Sequence, residues 1–320
     1  MYKEQTLSVF VKSIHQETKT VKRFILAPAD GEVLPAFSAG SHITTYLKGL
    51  NGPIQRQYSL INHSETRDEY HIAVQLHPSS TGGSECWHKT MRAGDLLNIS
   101  YPNNHFPLSF AAKRHVFYAA GIGITPILSM MAELKGNKTP FELHYAAKSK
   151  DDCAFYEYLR KQYPGHCTFY FSREEGSRRL DAALLLQHPI GTHVYFCGPG
   201  SFISTFTETA KGYGYPNGSI HYERFSAPRP FNPKPFEVRL TDGNTINVTA
   251  EQTLLEALQK AGIKAPYSCR VGRCGTCELK VLEGKIIHYD SFLTEEQKSS
   301  QNCILTCVSR AESERLTISY

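Results

Sequence analysis

The first hundred residues consist of short apolar runs separated by turn residues. Segments rich in β-branched and aromatic side chains occupy positions 7–14, 21–27, 42–47, 70–76 and 96–100, with glycine- or proline-containing turns between them. Several short strands with such turns predict a small barrel or sandwich over residues 1–110. Residues 85–91 have the pattern of a short helix.

From residue 115 the pattern becomes an alternation of buried strands and helices. Strands are predicted over 116–120, 141–146, 167–172 and 193–196, and helices over 126–135, 153–162, 182–186 and 201–211. Thr125 suits the N-cap of the first of these helices, with Pro126 at the first helical position. The alternation predicts an α/β domain with a doubly wound parallel sheet over residues 111–226, whose ligands lie at the carboxyl ends of the strands.

A proline-rich connector at residues 227–235 separates this domain from the last one. Asp242-Gly243 between two apolar segments indicates a hairpin. Thr253 and Glu256 have the spacing of a capping box at the start of a helix. Strands over 278–282 and 316–319, together with the residues around Cys307, complete a small α+β domain of the β-grasp type over residues 236–320.

Composition and charge exclude several classes of protein. The length of 320 residues predicts two or three domains, and the hydrophobic share of 41% is that of an ordinary globular protein. A net charge of +5 without a long basic run argues against nucleic-acid binding. Neither an apolar signal core nor a stretch of membrane-spanning length is present, so we expect no membrane contact.

Four cysteines follow the plant-type spacing for a [2Fe–2S] cluster, C-x4-C-x2-C with a distant fourth ligand: Cys269, Cys274, Cys277 and Cys307. Each iron needs two thiolates, so a tight loop supplies three sulfurs and a neighbouring strand the fourth. Gly272 and Gly275 allow the loop to curl around the cluster. Zinc is the alternative, but zinc ribbons more often show two C-x2-C pairs and this chain has one. Ligand thiolates need a reducing compartment, which favours the cytoplasm.

Two segments of the first domain have the chemistry of a phosphate site. Arg56-Gln-Tyr58-Ser59 lies on a predicted strand, where alternation places Arg56 and Tyr58 on one face and Ser59 on the other. An edge or a bulge would bring all three to one ligand. Thr81-Gly82-Gly83-Ser84 precedes the short helix and presents amides to an anion. Gly-Gly-Ser is more often a plain turn, but the two segments together, ahead of a redox cluster, indicate a flavin phosphate site.

Two glycine turns follow strands of the second domain. These turns are Gly121-Ile-Gly123-Ile-Thr125-Pro126 and Cys197-Gly198-Pro199-Gly200. A glycine turn between a strand and a helix lets a pyrophosphate approach the helix N-terminus, so a dinucleotide is expected across both turns. Pro126 occupies the position of the third glycine in G-x-G-x-x-G, so the motif is incomplete. The prediction of a nucleotide site therefore rests on the position of the turn between a strand and a helix.

A basic segment follows the strand predicted at 167–172. Ser172 and Arg173 lie at its end, with Arg178 and Arg179 shortly after. The segment either recognises the adenosine ribose, including a 2′-phosphate, or is a solvated charged loop. The choice between NADH and NADPH therefore stays open.

These three blocks, in this order, resemble the phthalate dioxygenase reductase family over essentially the whole chain. The resemblance is carried by the Arg56 and Gly82-Gly83-Ser84 segments, the two glycine turns and the four cysteines. It implies an antiparallel β-barrel that binds FMN, an α/β domain that binds NADH (NADPH not excluded) and a C-terminal β-grasp ferredoxin domain with a [2Fe–2S] cluster. Within the family the chain looks most like reductases of vanillate demethylase and carnitine or quaternary-amine monooxygenase systems.

The resemblance also implies roles for individual residues. The flavin phosphate is bound by Arg56, Gly82, Gly83 and Ser84. Tyr58 packs on the isoalloxazine ring, and Ser59 approaches flavin N5. The nucleotide is bound by Gly121, Gly123, Thr125, Pro126, Ser172, Arg173, Cys197, Gly198 and Pro199. Thr125 lies near the nicotinamide or the flavin edge, Cys197 lies near the nicotinamide, and Phe225 stacks where the nicotinamide enters.

The implied function is that of the reductase component of a two-component oxygenase of the Rieske type. Electrons pass from NAD(P)H through FMN and the cluster to a terminal oxygenase partner, and the flavin bridges a two-electron donor and a one-electron acceptor. Arg270 and Arg273 steer an acidic partner surface, tune the potential of the cluster, or are ordinary solvated charges. The alternatives are a stand-alone flavin or ferric reductase and a non-enzymatic redox sensor, and the order of the three sites speaks against the sensor.

Overall fold

The computed structural model describes residues 5–49, 52–78, 80, 82–176, 178–228, 230 and 232–320. The chain divides into two compact units, Met1–Glu223 and Arg224–Tyr320. The first unit contains the predicted barrel and the predicted nucleotide domain except for its last three residues, 224–226, which belong to the second unit. Within the described ranges, every helix is too short or too polar to span a bilayer.

The first sheet is antiparallel and has six strands. They are β1 Thr6–Thr18, β2 Val21–Pro28, β3 His42–Gly49, β4 Gly52–Ser59, β5 Tyr70–Gln75 and β6 Leu96–Ser100. Their order is β4-β3-β6-β1-β2-β5, which leaves β4 and β5 at the edges. Leu60, directly after β4, forms an antiparallel bridge with Ile72 of β5. Because the two edges meet at one end, the sheet is a barrel and not an open sandwich.

A short helical segment lies between β5 and β6, as predicted. Helix α1 spans Gly83–Glu85 and continues as a π-helical turn over Cys86–Thr90. Trp87 in this turn is fully buried, and its ring centroid lies 4.6 Å from that of Phe24 and 5.9 Å from that of Tyr58. A buried aromatic side chain of this size anchors the segment to the barrel core.

The second sheet is parallel and has five strands. They are β7 Arg114–Ala120, β8 Phe141–Ala147, β9 Cys167–Phe171, β10 Thr192–Cys197 and β11 Ile220–Glu223, in the order β11-β10-β7-β8-β9. The helices are α2 Ile124–Gly136, α3 Tyr156–Gln162 and α4 Gly200–Gly212, with 3₁₀ turns at Gly121–Gly123, Ala182–Gln187 and Asn217–Ser219. Helices α2 and α3 pack on one face, and α4 with the Ala182–Gln187 turn packs on the other. This is the predicted doubly wound arrangement.

One helix of this domain starts later than predicted. The helix expected from residue 153 begins at Tyr156, because Phe155 has a left-handed backbone with φ 64°. A residue with a left-handed backbone cannot be part of a right-handed α-helix, so the helix begins after Phe155. Strand β11 was not predicted, since four residues give too short a pattern.

The barrel and the parallel sheet share one hydrophobic cluster. Ala39 and Phe106 pack in it with Met130 of α2. The amide of Gly40 donates to Oγ of Ser129, also on α2, at 3.1 Å. A Cβ at Gly40 would lie 2.1 Å from the carbonyl oxygen of Phe106, so this contact has no room for a side chain. The two predicted domains are therefore closely packed parts of one unit.

The second unit is a mixed sheet with two short helices. Strands β12 Phe236–Leu240, β13 Thr245–Val248, β14 Glu278–Glu283, β16 Cys303–Leu305 and β18 Arg315–Ser319 lie in the order β13-β12-β18-β14-β16, while β15 Ile286–Ile287 pairs with β17 Arg310–Ala311. The predicted capping box of Thr253 and Glu256 opens α5 Leu254–Lys260. Helix α6 Glu295–Ser300 was missed, although Thr294 and Gln297 form a second capping box. The predicted α+β β-grasp fold is confirmed.

Candidate functional site

The cysteine loop of residues 269–277 curls tightly ahead of β14. Gly272 and Gly275 both have φ 74°, a left-handed conformation that other residues seldom adopt. A Cβ at Gly275 would lie 2.3 Å from Cζ of Phe292, and one at Gly272 would lie 2.6 Å from Cγ2 of Val308. Both the backbone conformation and the packing therefore require glycine at these positions.

Backbone amides of the loop point at cysteine sulfur. The Val271 and Arg273 amides donate to Sγ of Cys269 at 3.5 and 3.4 Å, and the Cys269 amide donates to Sγ of Cys274 at 3.5 Å. Donors of this kind stabilise negative charge on a ligand sulfur. A hydrogen bond from the Cys269 thiol, with a further one from Thr276, lowers the pKa of Cys274 to about 4. This contact favours the thiolate form of Cys274, whereas it raises the pKa of Cys269.

The four sulfurs are arranged as two pairs. The Cys269 thiol is hydrogen-bonded to Cys274, and the Cys307 thiol is hydrogen-bonded to Cys277. The second contact lowers the pKa of Cys277 to about 7. Two irons that each take two thiolates fit two sulfur pairs, whereas one zinc ion would need all four sulfurs around a single point. The residues therefore fit a [2Fe–2S] cluster.

Cys307 does not lie on a strand, contrary to the prediction. Strand β16 ends at Leu305, and Cys307 follows in a turn. The Thr306 hydroxyl and amide both donate to the Cys277 carbonyl, at 3.1 and 3.2 Å, and this turn brings Cys307 beside Cys277. Thr306 is fully buried. From the sequence, Thr306 looks like an ordinary strand residue. The one feature that could have indicated its role is a hydroxyl side chain directly before a cysteine ligand.

Arg56 of β4 lies across the glycine turn that precedes α1. A Cβ at Gly83 would lie 2.7 Å from Cγ and 2.8 Å from Nε of Arg56, and Gly82 has φ 97°. The hydroxyl of Ser84 is hydrogen-bonded within the same turn. Thr81 lies outside the described residues. The structure thus brings the two predicted phosphate segments together, with the Arg56 side chain in a cradle that the missing side chain of Gly83 leaves open, and these residues fit a flavin phosphate.

Tyr58 and Ser59 lie beside this cradle at the end of β4. The Tyr58 ring meets Trp87 edge-on, and burial raises the pKa of its phenol, so the side chain is neutral. Ser59 is buried. Trp87 was missed, although it is the one tryptophan of the chain and follows Gly-Gly-Ser closely.

The two glycine turns of the parallel sheet contact each other. They follow β7 and β10, which are adjacent, and the strand order reverses between these two strands. A Cβ at Gly123 would lie 2.2 Å from the carbonyl oxygen of Cys197, and one at Gly198 would lie 2.9 Å from Cβ of Ala120. Doubly wound sheets bind ligands at such a reversal. The turns therefore fit a dinucleotide.

Thr125 is not an N-cap, which corrects the prediction. Helix α2 begins at Ile124, so Thr125 and Pro126 both lie inside its first turn. The Thr125 hydroxyl donates to the Ile122 carbonyl at 3.0 Å. Because the 3₁₀ turn at Gly121–Gly123 runs directly into α2, the helix starts earlier than the proline indicates.

The remaining predicted residues lie at the ends of strands. Cys197 is fully buried at the end of β10, and Pro199 caps α4. Ser172 and Arg173 are exposed after β9, where their amides donate to carbonyl groups at the end of β8. Phe225 follows β11, and 46% of its surface is exposed. The structure thus joins Cys197 to the Gly123 turn and leaves the other four on the surface.

Two family models match parts of the chain. Residues 239–312 match the 2Fe-2S iron-sulfur cluster binding domain. Residues 102–220 match the N-terminal domain of proteins like the dimethylamine monooxygenase subunit DmmA. The first match covers all four cysteine ligands.

Three curated relatives are similar over nearly the whole chain. The vanillate O-demethylase oxidoreductase of a Pseudomonas species is 38% identical over 98% of this chain and 99% of its own length. The carnitine monooxygenase reductase subunit of Acinetobacter pittii is 36% identical over 95% of this chain and 99% of its own. The heme-dependent oxidative N-demethylase beta subunit of Ectopseudomonas mendocina is 40% identical, with 95% and 96% covered.

Several solved structures are similar over 98% of this chain, including a reductase and a longer monooxygenase. Phthalate dioxygenase reductase superposes with a TM-score of 0.76 at 31% identity, and 98% of it is covered. An intact type IV self-sufficient cytochrome P450 monooxygenase superposes with a TM-score of 0.77 at 35% identity, and this chain spans 41% of that longer one. The chain therefore belongs to the phthalate dioxygenase reductase family and is an NAD(P)H-dependent flavin and iron–sulfur oxidoreductase, with FMN, NAD(H) and a [2Fe–2S] cluster as its cofactors.

Proposed function

We propose that this chain is the reductase component of a two-component oxygenase and delivers electrons from NAD(P)H to a separate terminal oxygenase. The observation that carries the proposal is the presence, in one chain, of the Arg56 cradle, the paired glycine turns and the two sulfur pairs. The curated relatives that it spans almost completely include a reductase subunit and an oxidoreductase of named oxygenase systems, which supports a separate acceptor protein.

The barrel residues hold the flavin in this proposal. Bound FMN accepts two electrons together and gives them up singly, which matches a hydride donor to a one-electron cluster. Arg56, fixed across Gly83, pairs with the phosphate, since a guanidinium binds phosphate oxygens strongly. Gly82 and Ser84 line the same turn. Tyr58 packs on the ring system and excludes water, with Ser59 at the reacting edge.

The paired glycine turns hold the nucleotide. Gly121, Gly123 and Gly198 let the pyrophosphate approach the backbone at the first turns of α2 and α4. Thr125 and Cys197 lie on these turns and orient the nicotinamide. The exposed Ser172 and Arg173 contact the ribose. The role of Phe225 at the nicotinamide stays a prediction, because Phe225 belongs to the second unit.

The surface around the cysteine loop is where we place the acceptor. The Phe292 ring lies over the backbone of Gly275 and is 45% exposed. The Arg270 guanidinium lies 4.2 Å from the centroid of the Tyr267 ring. The exposed Arg270 adds positive charge beside this apolar centre, which favours an acidic partner.

A second candidate function is that of a stand-alone reductase of small acceptors. A tetrachlorobenzoquinone reductase of Sphingobium chlorophenolicum is 36% identical over 98% of this chain, which favours a direct quinone or flavin acceptor.

The Rieske type of the partner stays a prediction, because one full-length relative is named for a heme-dependent enzyme. All nine cysteines are free, which supports the proposed cytoplasmic location.

The first test is an anaerobic titration of the holoprotein with NADH, followed by visible absorbance and by EPR of the endpoint. We expect bleaching of the flavin bands together with the signal of a reduced [2Fe–2S] cluster. Steady-state NADH oxidation is then measured with quinones, free flavin, a Rieske-type oxygenase and a heme-dependent oxygenase. Rapid turnover with small acceptors alone would support the second candidate. A failure of both NADH and NADPH to reduce either centre would overturn the reductase proposal.

A further inference from the structure

A cluster of one glutamate and two histidines lies near the amino end of β8, whereas the glycine turns lie at the carboxyl ends of their strands. Oε1 of Glu142 is 3.2 Å from Nε2 of His144 and 3.2 Å from Nδ1 of His188. These three atoms all lie within 4.8 Å of one another, the one such group of potential metal ligands among the described residues. The family's redox chemistry, as derived above, makes no use of these side chains.

We propose that Glu142, His144 and His188 form a zinc site. A tetrahedral Zn²⁺ with bonds of about 2.0–2.1 Å separates neighbouring ligand atoms by about 3.3–3.4 Å. The two separations between Glu142 and the histidines are close to this value. Two imidazoles and one carboxylate are a common ligand set for zinc, with water at the fourth position.

Each histidine is also oriented from behind by a tyrosine. The Tyr118 hydroxyl lies 2.6 Å from Nε2 of His188, and the Tyr170 hydroxyl lies 2.9 Å from Nδ1 of His144. Metal-bound histidines almost always use the second nitrogen in such a contact, which fixes the tautomer and the ring plane. Zinc would take the nitrogen of each ring that faces Glu142, so each bound ring would carry its N–H on the other nitrogen and donate it to the tyrosine hydroxyl.

The charges of Glu142 and Arg114 determine how tightly we expect zinc to bind. Glu142 supplies a negative charge at neutral pH, and its carboxylate contacts His144, His188 and Arg114. Arg114 pairs with the second oxygen of the same carboxylate. Because that guanidinium opposes a nearby cation, we expect weaker binding than at structural zinc sites with thiolate ligands.

The site would join two parts of the chain that are distant in sequence. His188 directly follows the Ala182–Gln187 turn, and the basic segment with Arg178 and Arg179 precedes that turn. Zinc would fix the end of this turn to β8. Slower amide hydrogen exchange over residues 182–188 is therefore expected when zinc is bound. This expectation does not depend on the proposed electron acceptor.

The test uses the full holoprotein with its iron–sulfur cluster intact. Equilibrium dialysis against ZnCl₂ with elemental analysis is expected to give one zinc per chain in addition to iron. Zinc K-edge absorption is expected to show nitrogen and oxygen neighbours with imidazole scattering and no sulfur neighbours. Absence of bound zinc, or zinc–sulfur distances that place the metal at the cysteines, would overturn the proposal.

Variants identify the ligands. The double variant His144→Gln/His188→Gln is expected to lose zinc binding, while the matched control His166→Gln, a histidine stacked on Phe141, keeps it. Tyr118→Phe keeps the ring and is expected to weaken zinc binding about 10- to 100-fold, so the proposal is testable even if the double variant does not fold. Unchanged affinity in Tyr118→Phe and in the folded double variant would show that zinc binds elsewhere.

Discussion

The cysteine loop and the paired glycine turns both bring the backbone close to a cofactor, but they need glycine for different reasons. In the cysteine loop, Gly272 and Gly275 have φ 74°, and the sulfurs and amides that they arrange mostly lie within nine residues of sequence. In the nucleotide turn, Gly123 has an ordinary φ of −62°. A larger residue at position 123 is excluded only because the carbonyl group of Cys197, which is distant in sequence, packs against Gly123. Backbone conformation and packing both require glycine at Gly272 and Gly275, whereas packing alone requires it at Gly123.

Removing one ligand is expected to abolish the cluster while sparing the paired turns. Cys274→Ser takes away the thiolate with the lowest pKa of the four, and one iron is left with a single protein sulfur. We expect complete loss of the cluster absorbance and EPR signal, with flavin reduction by NADH retained. Cys86→Ser, a thiol of the barrel, is the control and keeps both. Loss of flavin reduction in Cys274→Ser would show that the two sites are not independent.

Adding one methyl group is expected to disrupt the paired turns while sparing the cluster. In Gly123→Ala the new Cβ meets the Cys197 carbonyl at 2.2 Å, and overpacking of this kind costs about 1–3 kcal/mol of unfolding free energy. NADH affinity is expected to fall as the turns separate. Thermal unfolding and NADH titration measure both effects.

The matched control for this variant is Gly218→Ala, where a Cβ has open space. It tests the reason for the effect, because both variants replace glycine by alanine near a helical start. Equal behaviour of the two variants would contradict the steric interpretation.

Removing the positive charge of Arg56, whose side chain lies against Gly83, is expected to weaken flavin binding. Arg56→Gln leaves the glycine turn in place but removes a charged partner of the phosphate, which contributes about 1.5–3 kcal/mol. FMN affinity should therefore fall about 10- to 100-fold, measured by fluorescence titration of the deflavinated protein. Arg92→Gln, an exposed arginine of the same barrel, is expected to bind FMN normally. The assignment of Arg56 to the phosphate is wrong if both variants bind FMN equally.

The smallest expected effect concerns the surface of the cysteine loop. Phe292→Ala removes a half-exposed ring from above Gly275 and leaves all four ligands in place. We expect an unchanged cluster spectrum and a several-fold slower electron transfer to a protein acceptor. Phe110→Ala, whose ring is 98% exposed in the first unit, serves as the control. Equal rates for these two variants would remove Phe292 from the docking surface.

The same contrast explains how much could be predicted from the sequence. The cysteine spacing, the capping box of Thr253 and the strand–helix alternation are local patterns, and each predicted element is present. Thr125 was misassigned because the 3₁₀ turn before it leaves no sequence signal. Cys307 was placed on a strand because Thr306 looks like a strand residue until its contacts with Cys277 are known.

Contacts between distant residues could not be predicted in the same way. The position of Arg56 across Gly83 depends on the closure of the barrel. The Glu142, His144 and His188 group combines one strand with the end of a distant turn, so no spacing rule detects it. Trp87 is a further case, because only its burial against Phe24 and Tyr58 shows its importance.

The contact between Gly40 of the barrel and Ser129 of α2 limits which parts of such reductases can be exchanged between proteins. A protein that acquired the barrel alone would leave Ala39 and Phe106 without Met130, and the amide of Gly40 without Ser129. A gene fusion cut at residue 110 would therefore inherit an exposed apolar surface, whereas one cut after Glu223 would not divide this cluster. The unit that evolution, or an engineer, can exchange intact is the flavin and nucleotide parts together.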